Sequence, residues 1–393
     1  MMLRLLGFSL YLLTLNFLFH WYLLRRWLPG ALDDPQRRRR AWRWALMVAV
    51  AMVVLQGAGR LAPSPWLRAL IYPGVAWTGF ALYLTAATVG LDFLQLGRRL
   101  WARRKGASVE TSRAPLQPER RAFLGTALGT GALAATGGLA TFGTWRAYQP
   151  AEVTEVQVKL PYLPSALDGF TLVQLSDVHI GAVLQRKFLE DLVARANGLR
   201  PDLVAITGDL VDGSVPRLAG HVGALRDLRS RYGTHFITGN HDYYSGADAW
   251  VEALRSIDIQ VLRNRYVRIG EGAQSFDLIG VDDWMSKGKG GYDLDAAVAG
   301  RTPERAAVLL AHQPKDLENV ARRGIGLQLS GHTHGGQMWP GTWVSDLTWG
   351  PRSHGLSRFE GLSVYVSRGC GFVGPSQRAG SPPELVKIVL RAG

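Results

Sequence analysis

The chain has 393 residues, enough for two or three structural units and one sizeable buried core. Its net charge of +14 arises wholly in the first 150 residues, where 19 Lys and Arg stand against 5 Asp and Glu, while the remainder holds 26 of each. The basic residues flank apolar stretches instead of covering a folded face, which excludes nucleic-acid binding as the meaning of the charge, and a single cysteine, Cys370, excludes an internal disulfide framework.

Four apolar stretches open the chain, at about residues 3–24, 44–61, 66–96 and 122–145. A bilayer needs roughly 20 apolar residues, so the region 1–146 is expected to be an all-α, multi-pass membrane region of about four helices. Pro73 and Asp92 interrupt the third stretch, and His20 lies near the end of the first, close to Arg25, as an interfacial residue would. The fourth, with Gly125, Gly129 and the pair Gly137-Gly138, has the small residues of tight helix packing; a flexible linker is the alternative.

Arginines orient the set. Arg25, Arg26, Arg37 to Arg40 and Arg43 follow the first stretch, and Arg98, Arg99, Arg103, Arg104, Lys105, Arg113, Arg120 and Arg121 follow the third, whereas only Arg68, with Arg60 at the edge, separates the second and third. Positive-inside counting puts both rich loops in the cytoplasm and everything after residue 146 outside, as in a multi-pass protein of the bacterial inner membrane. Arg120-Arg121-Ala122-Phe123-Leu124 matches either a twin-arginine export signal, with the export machinery as partner, or stop-transfer charge.

From Glu152 onward short apolar runs alternate with amphipathic segments, an α/β texture. Strands are expected at 171–175, 203–207, 235–238, 260–262, 276–279, 307–310, 327–329, 363–366 and 385–389, and helices at 186–197, 217–231, 247–256, 294–299 and 314–321. Eight of the nine histidines lie in this part. Polar clusters follow the strands: Asp177-Val178-His179, Gly208-Asp209-Leu210-Val211-Asp212, Gly239-Asn240-His241-Asp242, His312, and Gly331-His332-Thr333-His334. Strand ends are where loops converge on a ligand. Carboxylate and imidazole without thiolate is a donor set for Mn, Fe or Zn in an open site. Asp177 and His179 are spaced to chelate one ion, Asp209 has the charge to bridge two, and glycines 208, 239 and 331 let the backbone turn beside them.

In this order, D-x-H, G-D-x-x-D, G-N-H-D, a lone His and G-H-x-H resemble the calcineurin-like metallophosphoesterases over about residues 170 to 335. The apolar N-terminal part and Ser381-Pro382-Pro383-Glu384 further resemble the bacterial membrane-anchored phosphodiesterase branch. The resemblance implies a catalytic domain over 147–393, folded as a four-layer sandwich of two mixed sheets flanked by helices. It implies two divalent ions, one on Asp177, His179, Asp209 and His334, the other on Asp209, Asn240, His312 and His332. It further implies that His241 assists the leaving oxygen while Asp242 orients its imidazole. The expected activity is hydrolysis of phosphodiesters by a metal-bridged hydroxide. The alternatives are a pyrophosphatase acting on a nucleotide-linked or phosphate-bearing lipid, and a non-catalytic sensor or scaffold on the same fold.

Other residues have blander readings. Asp212 is a turn acid before Gly213 or a support for the site, and His354 is a solvated loop residue or part of a substrate rim. Trp339, Trp343 and Trp349 pack a long loop, or grip an acyl chain or a membrane surface. Cys370 is a small packing residue; Lys287 and Lys289 form a solvated tip or a phosphate-facing loop.

Overall fold

The computed structural model describes residues 2–27, 34–61, 69, 71–104, 118–286 and 291–393. The chain divides into two units, Met1–Phe142 and Gly143–Gly393.

The first unit is helical, with helices Met2–Trp27, Pro35–Leu61 and Ile71–Arg104 and most of Pro118–Ala147. Among the described residues Ile71–Arg104 alone is long and apolar enough to cross a membrane by length and composition. The helix Pro35–Leu61 begins with a run of arginines and Pro118–Ala147 is rich in Gly, Ala and Thr. Several polar groups in this unit are paired. Asp92 accepts hydrogen bonds from Arg26 Nε and Tyr22 Oη, each at 2.8 Å. His20, buried, accepts from Trp77 Nε1 at 2.9 Å and donates through Nδ1 to Asn16 O at 2.7 Å, so both ring nitrogens are satisfied within the helical unit.

The second unit carries strands β1 Glu152–Leu160, β2 Thr171–Leu175, β3 Leu203–Thr207, β4 Thr234–Ile237, β5 Gln260–Val261, β6 Arg265–Glu271, β7 Gln274–Gly280, β8 Ala307–Leu310, β9 Leu327–Ser330, β10 Gly355–Phe359, β11 Leu362–Val366 and β12 Glu384–Ala392. They form two six-stranded sheets, ordered β1-β12-β2-β3-β4-β5 and β10-β11-β9-β8-β7-β6. Both are mixed: β2 to β5 run parallel with β12 antiparallel to β2, and β7, β8, β9 and β11 run parallel with β6 and β10 antiparallel at the edges.

Side-chain alternation along each strand sorts the core into layers. Leu172, Ala205 and Ile237 of the first sheet meet Leu278, Val308 and Leu329 of the second. The intervening residues Val173, Leu175, Val204, Ile206 and Phe236 face outward onto the helices Arg186–Gly198 and Ala247–Arg255. In the first of these helices Leu189, Leu192, Val193 and Ala196 recur at helical spacing and form its buried stripe. On the far side of the second sheet, Leu309 and Val364 cover Leu294, Ala297, Leu317 and Val320 of two short helices. The arrangement is helix, sheet, sheet, helix. Strands such as β3, buried at every position, read as unbroken apolar runs because both faces are covered.

Three strands escape the sequence reading, β1, β6 and β10, and all three are sheet edges. Their alternate side chains are exposed, so charged residues interrupt the apolar signal. The expected helix 217–231 is a helix Val215–Val222 followed by a short 3₁₀ turn, and the expected long loop after the last histidine motif holds the helix Gly341–Trp349.

Candidate metal centre

Every motif leaves the sheet at the C-terminal end of a strand: Asp177 after β2, Asp209 after β3, Asn240 after β4, His312 after β8 and His332 after β9. The backbone there is unusual. Asp177, His179, Asp209, His332 and His334 all have φ between +51° and +72°, a region that side chains other than Gly rarely occupy and that costs on the order of 1–3 kcal/mol each. Such a concentration marks a site held by its surroundings for function. Of the three motif glycines only Gly208, at φ +87°, turns the chain this way; Gly331 is required for space, since a Cβ there would collide with the Ser176 side chain and the Asp177 carboxylate.

Among the described residues donor atoms converge in three groups, Asp177 with His179 and His334, Asp209 with His312 and His332, and His179 with Asp212 and His241, each within 4.8 Å; the first two hold the expected ligands. Asp209 Oδ2 lies 3.2 Å from His312 Nε2 and 3.9 Å from His179 Nε2, between the groups. Asn240 Oδ1 is 2.9 Å from His332 Nδ1. These residues fit a pair of divalent ions. His179 Nε2 and His334 Nε2 face one another at 3.1 Å with Asp177 Oδ1 3.3 Å from the latter, an arrangement of lone pairs that needs a proton or a cation among them. His312 Nε2 is buried and makes no hydrogen bond, while its Nδ1 donates to Thr207 O at 2.9 Å, which leaves Nε2 as the free ligand atom.

Without ions, protons balance the buried charges. Burial lowers His179, but the neighbouring Asp212, Asp209 and Asp177 outweigh it and raise the imidazole to about 9. Burial likewise lowers His312, and Asp209 beside it more than compensates. His332 goes the other way, brought down to about 3 by burial and the positive charge of His312. Divalent cations held here would compete with protons for the His179 and His312 nitrogens.

The supporting contacts correct the sequence reading. Asp242 does not touch the His241 imidazole: its carboxylate is buried and accepts the backbone N–H groups of Asp209, Leu210, Val211 and Gly239 at 2.8–3.2 Å, tying two motif loops together. Asp212 orients the imidazole instead. It accepts from His241 Nδ1 at 2.6 Å through one oxygen and from His179 Nδ1 at 3.2 Å through the other, so it is no mere turn acid. Neighbours in sequence at a helix start point in different directions, whereas the loop after β3 folds Asp212 back against both histidines.

Arg378, fully buried, was not singled out by any motif. Its guanidinium donates to the carbonyls of Gly371, Gly369, Arg368, Ser381 and His334, pinning the segment before β12 against the His334 turn, and burial draws it down to about 10. Cys370 is buried in this segment and its Sγ–H meets Glu384 O, consistent with packing. Glu384 accepts from Tyr365 Oη at 2.7 Å and from Arg368 N at 2.9 Å. His354 is exposed beside the Gly335 backbone, and Trp349 sets its ring 6.0 Å from that of His332. Lys287 and Lys289 lie outside the described residues.

A two-sheet sandwich with Asp, Asn and His donors gathered in two groups at the strand ends defines a metal-dependent phosphoester hydrolase class of site. Residues 170–336 match the family model described as calcineurin-like phosphoesterase. A protein of Danio rerio named "Transmembrane protein with metallophosphoesterase domain" is 34% identical over 97% of this chain and 87% of its own length; the Bos taurus protein of that name is 35% identical over 89% and 81%. An uncharacterized metallophosphoesterase of Campylobacter jejuni is 36% identical over 62% of this chain and 64% of its own. The chain therefore belongs to the calcineurin-like phosphoesterase family, among relatives both vertebrate and bacterial.

Proposed function

We propose that the protein is a membrane-anchored hydrolase that cleaves phosphodiesters with the help of two divalent metal ions. The observation that carries this reading is the pair of donor groups with Asp209 between them. Asp177, His179, Asp209 and His334 would hold one ion and Asp209, Asn240, His312 and His332 the other. When bound, such ions supply an acidified water and a Lewis-acid clamp on the phosphoryl oxygens.

The chain's own residues do the remaining work. Asp177 and Asp209 supply the negative charge that makes two cations tolerable at short range, and the backbone N–H of His241 fixes Asp209 through Oδ1 at 2.8 Å. As the bond from water oxygen to phosphorus forms, the bond from phosphorus to the leaving oxygen breaks. That oxygen takes a proton from Nε2 of His241, whose Nδ1 is held by Asp212 at 2.6 Å. The proton released by the attacking water replaces it. An alkoxide leaving group needs this proton most, in a diester as in a monoester; the preference for phosphodiesters follows the resemblance to the membrane-anchored phosphodiesterase branch.

Membrane anchoring is supported by the helix Ile71–Arg104 and by the name of the vertebrate relatives, and the arginine-rich segments favour a catalytic unit outside the cytoplasm. A second reading, a pyrophosphatase acting on a phosphate-bearing lipid, is favoured by the helix Gly341–Trp349. Trp343, Val344 and Leu347 on it are 62%, 54% and 69% exposed, whereas its buried residue is Ser345, so its apolar face points to solvent.

The test is hydrolysis of an aryl phosphodiester and the matching monoester by the full chain in detergent, with Mn, Fe or Zn supplied in turn. Metal-dependent diester cleavage that disappears in Asp209→Asn is expected. Folded, metal-loaded protein that cleaves neither substrate would overturn the phosphodiesterase reading. Protease added to intact cells should cut the catalytic unit; protection until lysis would refute the outside placement.

A further inference from the structure

Lys315 stands three residues beyond His312, in the loop that leads from β8 into the helix Leu317–Arg322, and none of the motifs includes it. Its ammonium sits 5.8 Å from the centre of the Trp284 ring and 5.9 Å from that of Trp349. Both rings are held from behind. Trp284 meets Tyr292 edge-on at 4.9 Å, and Trp349 meets the imidazole of His332 at 6.0 Å, so the caged cation lies one indole away from a residue proposed to hold metal.

The lysine is half-buried, and among the described residues no carboxylate pairs with it. The adjacent acid is already engaged: Asp316 accepts from Tyr292 Oη at 2.8 Å and from Asn319 Nδ2 at 2.6 Å. The Asp283 carboxylate is likewise taken, by Gln313 Nε2 at 3.0 and 3.1 Å and by Met285 N at 2.9 Å. Aromatic faces attract and position a cation but leave its charge uncancelled. A solvated surface lysine would not be clasped between two tryptophans, and a structural one would have found either acid. What remains is a positioned positive charge at the edge of a phosphoester site, open to an anion.

We propose that Lys315, clasped by Trp284 and Trp349, is a subsite for a second anionic group of the substrate, a phosphate adjoining the scissile one, and that it directs the centre toward diphosphate-linked esters. The inference rests on the proposed hydrolase function and favours its second reading, cleavage of a diphosphate, over that of a simple phosphodiester. In this class the phosphorus nearer the ions is attacked by water, the bridging P–O–P bond breaks, and the leaving phosphate, rather than an alcohol, is met by the lysine.

The experiment uses the full chain in detergent and two readouts. The first is competition binding of methylenediphosphonate and of methylphosphonate to metal-loaded protein, in wild type, Lys315→Met and Lys315→Arg. Losing one hydrogen bond to a charged group costs about ten- to a hundredfold in binding. The preference for the diphosphonate should therefore fall at least about tenfold in Lys315→Met and recover most of the way in Lys315→Arg. The second is the ratio of kcat/KM on an aryl pyrophosphate diester to that on a singly charged aryl phosphodiester, which should fall by a similar factor. A preference unchanged in Lys315→Met overturns the subsite, as does a loss that is equal for both phosphonates. Should Lys315→Met fail to fold, Lys315→Gln takes its place in both comparisons. Absence of all hydrolysis would count against the hydrolase function alone, because the binding preference judges the subsite independently.

Discussion

Replacing Asp212 with asparagine separates a residue that organises the centre from one that merely turns the chain. One carboxylate spans two imidazoles, His241 Nδ1 at 2.6 Å and His179 Nδ1 at 3.2 Å, and the amide keeps its shape while removing its charge and one acceptor oxygen. Two losses follow. On the His179 side, removing the outer partner of a ligand costs about 10- to 100-fold in metal affinity. On the His241 side the imidazole loses the carboxylate that orients it, and of the roughly 10²- to 10⁴-fold that an acid catalyst supplies, most should go for a substrate with an alkyl leaving group. An aryl leaving group departs without a proton, so its kcat under saturating metal should fall only about tenfold. The assay is therefore a leaving-group series at saturating metal, with metal affinity titrated separately. Because Asp212 acts through His241, the double variant with His241→Ala should be no slower than His241→Ala alone. Wild-type metal affinity together with an unaltered leaving-group series, or additive losses in the double variant, would refute the reasoning.

Arg378→Met leaves five carbonyls of the segment before β12 without their charged donor; a loss of at least about 3 kcal/mol is expected, read as a fall of roughly 6–12 °C in the melting temperature of the catalytic unit. Gly331→Ala forces a methyl group against Ser176 and Asp177, so metal content after dialysis at limiting metal should drop more than about tenfold in affinity, while the strand cores keep the fold. His235 on β4 is buried in the core and burial holds it down to about 4, against about 6.5 in an unfolded chain. The unfolded state therefore binds the extra proton as the pH falls. Stability is unaffected by this group above about pH 6.5 and declines by up to about 3 kcal/mol toward pH 4, and His235→Leu should flatten that limb in melts taken at pH 7.5 and 4.5.

The ligand-type residues were legible because each directly follows an apolar strand: Leu172 to Leu175 announces Asp177, Leu203 to Ile206 announces Asp209, and Ala307 to Leu310 announces His312. A covered parallel strand is largely apolar, although Gln174 and Gln328 are buried within β2 and β9, and a loop that leaves it must turn at once, so strand and ligand-type residue are written close together. Edge strands β1, β6 and β10 lack that signature because water replaces a neighbour along one side. The residues that arrange the ligands were not legible for a different reason. Asp242 adjoins His241 in sequence yet serves four backbone amides, and Asp212 and Arg378 act across separations that no local spacing encodes. The division has a physical basis. Ligand atoms are presented by local backbone turns, five of them at positive φ, and such turns persist only when distant groups hold them. Asp242 on the loop after β3 and Arg378 on the His334 turn are those groups. If the strain at the ligands is balanced by these two anchors, metal affinity should respond to Arg378→Met even though its side chain is expected to touch no ion, and an affinity unchanged in that variant would separate stability from the geometry of the centre.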